Sequence, residues 1–220
     1  MFGLKIIDKS SVAFISALAI SSASFAEETL DTAAVGSSLD VKKLFAQCQK
    51  AAASEPSKTG RAKGTIMWCA IVDREGLLRE IKATDTGERP FSGKVLKTDA
   101  WRASIEIAIA KAYTSVSVSS NEQALTSEDV GKSSQPGADL WGIGNTNPYR
   151  ELTGKDDLKP DDFIGKKHHG MVTFGGGVPI YDCKSHKLVG AVGVSGDAVS
   201  ADIAVATDTV KNAGYNDTPC

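Results

Sequence analysis

The sequence predicts an α+β fold in which an antiparallel sheet lies between helical layers, and three observations predict it. Apolar periodicity along the 220 residues runs in the order helix, two strands, helices, three strands, helix, which makes a five-stranded antiparallel sheet. Residues 65–73 (TIMWCAIVD) are apolar on both parities, as in a strand covered on both faces. Gly175, Gly176 and Gly177 then form a corner that feeds two strand-like runs ending in a tight Ser195-Gly196-Asp197 turn.

The chain opens with Lys5 and Lys9, an apolar run from Val12 to Ile20, and small residues ending at Ala26 before acidic Glu27. This is the pattern of a secretory signal peptide over residues 1–26. The run is about half of the ~20 residues a spanning helix needs. The expectation is a periplasmic or secreted protein with no membrane span after signal cleavage. Residues 27–38 (EETLDTAAVGSS) read as a flexible lead, and residues 39–220 as a single domain.

Asp40 can cap a helix over Val41 to Ala53, where Val41, Leu44, Phe45 and Cys48 recur at helical spacing. Thr65 to Asp73 and Leu77 to Thr84 read as strands joined through Arg74, Glu75 and Gly76. Asp99 opens the longest helix, with Trp101, Ile105, Ala108, Ile109 and Ala112 on one stripe and Ile107 beside it. A shorter helix is expected near Ser120 to Glu128, followed by a long polar segment, residues 131–167, with Pro136, Pro148 and Pro160. Three strands follow, including Val178 to Tyr181 and Leu188 to Val194, and a last helix, Ala198 to Asn212, stops at Gly214.

Removal of residues 1–26 leaves 23 basic against 26 acidic side chains, and no Lys/Arg run. That balance argues against a nucleic-acid partner, which needs a basic patch to release counterions. A serine-hydrolase reading fails because residues 193–197 lack G-x-S-x-G spacing. Phosphate-loop readings fail too: Gly142, Gly144 and Asn147 break the dinucleotide pattern, and no Lys-Ser/Thr follows the triple glycine. Asp156, Asp157, Asp161 and Asp162 cluster around Pro160 without the spacing of a calcium loop and read as a solvated segment.

The stretches HHGMVTFGGGVPIYDCKSHKLVGAVGVSGD (168–197), SIEIAIAKAYTSV (104–116) and WCAIVDREGLL (68–78) together resemble the GlcG/HbpS-like family of haem-binding and haem-degrading domains, from about Leu39 to Tyr215. The resemblance implies a profilin-like α/β/α sandwich, with the first and last helices on one face of the sheet and the central helix on the other. It implies haem, or a related tetrapyrrole, as cofactor or ligand. The segment 145–167, two disulfides, and glycine at 175 or 176 where relatives often carry proline set this chain apart.

Four cysteines lie in the exported part, where oxidation is permitted. No C-x-x-C pair exists and the spacings fit no zinc pattern. In the sandwich just described, the helix with Cys48 runs directly into the strand with Cys69. The last helix returns toward the hairpin holding Cys183, so the favoured pairs are Cys48 with Cys69 and Cys183 with Cys220.

His168 and His169 are candidate haem ligands, since imidazole binds iron and the chain holds only three histidines. Neighbouring side chains on an extended segment face opposite ways, so one of the two would ligate; His169 is the metal-ligand candidate. The alternative is a solvated loop end beside Lys166 and Lys167, and His186 reads as a surface residue. Lys111, Tyr113 and Thr114 form a second cofactor-binding constellation, with Lys111 suited to a propionate and Tyr113 to ferric iron. Structural roles compete there: Lys111 capping carbonyls or pairing with Glu106, and Tyr113 filling core.

The resulting expectation is an exported small-molecule binding protein, forming a homo-oligomer through apolar helix faces and exposed sheet edges, rather than a dedicated enzyme. The alternatives are a small-molecule oxidoreductase or haem-degrading enzyme using His169 or Tyr113 at the iron, and a non-catalytic accessory protein acting through a partner.

Overall fold

The structure, a computed structural model, describes residues 39–57, 64–90, 95–146, 164–166 and 170–220. The predicted signal and lead therefore lie outside the described residues, as does the acidic cluster. No helix among the described residues is long and apolar enough to cross a membrane.

Helix α1 (Val41–Ser54) begins where predicted, because the Asp40 side chain accepts the Lys43 N–H at 3.0 Å. Strands β1 (Trp68–Asp73) and β2 (Leu78–Ala83) form a hairpin whose turn is held by Asp73, which accepts the N–H groups of Glu75 and Leu77 and pairs with Arg79. Gly76 sits in that turn at φ +78°, a conformation open to glycine at little cost.

Helix α2 (Ser104–Val118) starts five residues later than Asp99, and its N-cap Ala103 makes no side-chain cap bond. Trp101 consequently precedes the helix and is half exposed instead of sharing the buried stripe; its carbonyl accepts the Nε1–H of buried Trp68 at 2.9 Å. The short helix is α3 (Ser127–Ser133), also later than expected, because Thr126 and Asp129 form a reciprocal capping box. Ser120 to Gln123 is a turn closed by the Ser120 N–H to the Gln123 carbonyl.

Strands β3 (Gly177–Asp182) and β4 (Lys187–Ser195) and helix α4 (Val199–Asn212) complete the unit. The sheet is antiparallel in the order β2-β1-β4-β3, with four strands and not the five expected. Two of the three expected closing strands form, and Gly170 to Phe174, which precedes them, is not a strand. Its backbone turns to a helix side chain instead of a strand: the Val172 N–H donates to Thr114 Oγ1 at 3.0 Å.

The expected layering holds. Cys69 and Ile71 of β1 face α1 and α4 in one core with Leu44, Val194 and Val205, whereas Trp68, Ala70 and Val72 face α2 in a second core with Ile109 and Tyr181. Each fully buried aliphatic side chain in such layers contributes about 1.5–3 kcal/mol. Gly193 lets α2 lie directly on β4, since a Cβ there would stand 2.0 Å from the Ala108 carbonyl oxygen. Both expected disulfides are present, Cys48–Cys69 within the α1/α4 core and Cys183–Cys220 at the hairpin tip.

The sheet edges are closed rather than exposed. Along β3, the Gly177 N–H donates to Ser127 Oγ, Pro179 has no N–H, and the Tyr181 N–H donates to the Asn216 carbonyl. Along β2, Leu78, Ile81 and Ala83 donate to the Lys166 carbonyl, Glu80 Oε1 and the Glu88 carbonyl.

Candidate functional site

The segment Gly170–Gly177 threads between α2, α3 and α4, and each of its later residues is fixed by a different neighbour. Thr114, buried on α2, accepts the Val172 N–H while its own hydroxyl donates to the Ala110 carbonyl at 2.7 Å. Thr173 passes so near α3 that a Cβ on Gly131 would stand 2.1 Å from the Thr173 carbonyl oxygen. Ser127 Oγ accepts the Gly177 N–H at 2.8 Å.

The glycine corner has a packing cause at every position. A Cβ on Gly175 would meet Ile203 Cδ1 at 2.4 Å; one on Gly176 would meet Val194 O at 2.7 Å and Lys111 Nζ at 2.9 Å; one on Gly177 would meet Lys111 O at 2.1 Å. Gly176 also takes φ +115°, which side chains rarely adopt. The corner thus lets Lys111 reach from α2, past the sheet's end, to Asp202 on α4.

Lys111 Nζ donates to Asp202 Oδ2 at 2.6 Å and to the Val194 carbonyl at 3.0 Å, and Lys111 is fully buried. Its pairing is with Asp202, not with Glu106. Burial pushes the Lys111 ammonium below the ordinary lysine value, and the Asp202 carboxylate only partly restores it. Burial likewise pushes Asp202 above the ordinary aspartate value, against the pull of Lys111. The Phe174 ring covers the pair from outside, 5.0 Å from Lys111 Nζ at its centroid.

Phe174 is itself 40% exposed, and it forms the floor of an open depression of about 350 Å³. Val199 extends that apolar floor, and Glu128 and Lys132 of α3 with Gln135 just past its end make a polar rim. Such a surface suits a flat apolar ligand carrying charged groups at its edge.

Of the residues singled out from sequence, the structure brings Lys111 and Thr114 to this segment. Tyr113 points elsewhere: it is two residues on from Lys111, about 200° around the helix, and its ring covers Gly76 at the β1–β2 turn. His168 and His169 lie outside the described residues, immediately before Gly170 in sequence. His186 is exposed at the hairpin tip, with φ +53° and Nδ1 3.2 Å from the Cys220 carbonyl.

Sequence reasoning missed Asp202, Ser127 and Phe174. A signal existed for Asp202, a lone acid in a helical stripe with Ala201, Val205 and Ala206, which demands a buried cation. A signal existed for Ser127 as well, since Thr126-x-x-Asp129 marks a helix start one residue before it.

Comparison with known proteins agrees with this architecture. The model of the family described as "Haem degrading protein HbpS-like" matches residues 46–211. An uncharacterized 15.0 kDa protein from the dhaT-dhaS intergenic region of Citrobacter freundii is 33% identical over 104 residues, 47% of this chain and 54% of that one. The chain thus spans about half the length of the curated relative it matches. A solved PduOC:heme complex shares the fold, with TM-score 0.51 and 23% identity over 81% of this chain and 96% of that chain. The crystal structure of Klebsiella pneumoniae protein ORFY is similar at TM-score 0.49 and 22% identity, over 78% and 86% of the two chains. Because the family model matches residues 46–211, well over half of the sequence, the chain belongs to the HbpS-like family of haem degrading proteins.

Proposed function

We propose that this protein is an exported haem-binding protein, with the macrocycle resting on Phe174 and Val199 and an imidazole of His168 or His169 at the iron. The observation that carries the reading is the anchored segment Gly170–Gly177, which presents a half-exposed aromatic ring, Phe174, five residues after His169 in sequence. Membership of a haem degrading family supports it, as does a shared fold with a protein solved as a haem complex.

The residues present fit the group. Phe174 and Val199 match an apolar ring, and Lys132 at the rim suits a carboxylate, although it also pairs with Asp129 at 3.3 Å. Lys111 is less suited to a propionate than its sequence position implies, because Asp202 already holds its ammonium. Bound haem would supply the redox chemistry of its iron, so oxidative breakdown with peroxide, or with dioxygen and a reductant, would need no dedicated catalytic residue.

Haemin titration of the mature, oxidised protein, read in the Soret region, tests the reading. A saturable shift that is lost in the H168A/H169A variant is expected. A shift no larger than that of an unrelated control protein would overturn haem as the ligand. Haem loss on adding peroxide, or a reductant in the presence of dioxygen, at a rate above that of free haemin, would favour degradation over binding alone. The export reading is checked by the N-terminus of the protein recovered from the periplasm or medium, expected at Glu27.

A further inference from the structure

The two disulfides differ in their surroundings. Cys48 and Cys69 are fully buried between α1 and β1, whereas Cys183 and Cys220 are both exposed. The exposed bridge also closes something. Past α4, the chain returns to β3 and pairs with its edge, the Tyr181 N–H donating to the Asn216 carbonyl at 2.8 Å and the Asn216 N–H to the Tyr181 carbonyl at 3.1 Å. Lys211 pairs with Asp217 at 3.1 Å on the exposed side of this return.

The edge of β3 has three outward positions, and only one depends on this strap. Gly177 is covered by Ser127 and Pro179 has no N–H, so Tyr181 is the position whose main-chain groups rely on Asn216. Cys183 lies two residues beyond Tyr181 and Cys220 four beyond Asn216, and their disulfide ties the end of the strap back to the hairpin that follows β3.

We propose that Cys183–Cys220 is a redox-operated latch on this strap, and that Cys48–Cys69 is a permanent structural bridge. A dithiol reductant opens the latch: its thiolate attacks one exposed sulfur and forms a mixed disulfide, releasing the other cysteine as a thiol. Its second thiol then displaces the first cysteine, so the reductant leaves as a disulfide after giving two electrons and two protons to Cys183 and Cys220. The buried pair is shielded from the same in-line attack. Opening the latch lets the strap past Tyr215, which stays packed on the α1/α4 core with its hydroxyl accepting the Asp40 N–H, part from β3. That bares the Tyr181 N–H and carbonyl at the sheet edge, a place where an extended segment can pair. This inference stands apart from the haem reading, since it uses none of the same residues.

The test is graded reduction of the full mature protein with dithiothreitol, alkylation of free thiols, peptide mapping, and hydrogen exchange on the same samples. The expected result is labelling of Cys183 and Cys220 before Cys48 and Cys69. Exchange at Tyr181 and Asn216 should then rise by about tenfold or more while β1 stays protected. The C183S/C220S variant, which keeps the buried bridge, should show the same exchange without reductant. Labelling of Cys48 and Cys69 first, or of all four together, overturns the proposal. So does unchanged exchange at Tyr181 and Asn216 in either the selectively reduced protein or the variant.

Discussion

Lys111 on α2 and Asp202 on α4 form a buried ion pair, Nζ to Oδ2 2.6 Å, that joins the two helical layers past the end of the sheet. Gly176 leaves the pair its path, since a Cβ there would stand 2.9 Å from both Lys111 Nζ and Asp202 Cβ, and Gly177 lets the α2 backbone at Lys111 come close to the corner. Phe174, on its outer side, is shared with the proposed ligand surface.

Lys111→Met should cost about 3–5 kcal/mol of stability near neutral pH, because Asp202 is left buried without its counter-charge. Its pH dependence has a definite sign. Burial already raises Asp202, and loss of Lys111 removes the main opposing influence. A carboxyl with a raised folded-state pKa binds its proton more tightly folded than unfolded. The variant's stability should therefore fall as pH rises from the unfolded to the folded pKa of Asp202, and the deficit should shrink in acid. Urea titrations across pH check this, and a deficit independent of pH would count against the pair as the cause. The K111M/D202L double variant should recover most of the loss.

Glu80 should behave in the opposite sense. Burial opposes its ionisation, but Arg89, bound through two hydrogen bonds at 2.7 and 2.9 Å, and Lys82 at 2.9 Å outweigh burial and hold its pKa below the usual glutamate value. The stabilisation from a depressed carboxyl is present above the unfolded pKa and lost as pH falls through the folded one. Glu80→Gln should cost about 1–2 kcal/mol at neutral pH, given that Arg89 is partly exposed. The same comparison below the folded pKa should show little difference.

Gly177→Ala and Gly193→Ala should both be severe, with loss of about 3 kcal/mol or more, because each new Cβ meets the α2 backbone at 2.1 or 2.0 Å. Gly144→Ala meets nothing within 4 Å and should change the melting temperature little. Equal effects at the three positions in thermal melts would refute the close approach of α2 to the sheet.

The proposed ligand surface makes its own prediction. Phe174→Ala should weaken haemin binding about tenfold with only a small change in stability, since the ring is 40% exposed. Thr114→Val should cost about 1–3 kcal/mol by orphaning the Val172 N–H, and it should also loosen the segment that carries the ligand surface. A Soret titration that is unchanged in the Phe174 variant would move the ligand away from this depression.

Local chemistry made much of this fold readable in the sequence. The cap at Asp40, the hairpin turn at Gly76, the two-sided burial of β1 and the stop at Gly214 each depend on a few adjacent residues, and all appear where periodicity and turn chemistry put them. The layering and both disulfides follow once those elements are stacked in order. Tertiary structure decided the rest, because the deciding partners are remote. A third closing strand is expected before the glycine corner's hairpin, but Thr114, 58 residues away from Val172, takes that residue's N–H instead. Lys111 looks open to a ligand until Asp202, 91 residues away, takes its ammonium. A side chain's charge and hydrogen-bonding capacity are written in the sequence, but whether they are already used depends on which distant group the packing of the sheet brings within reach.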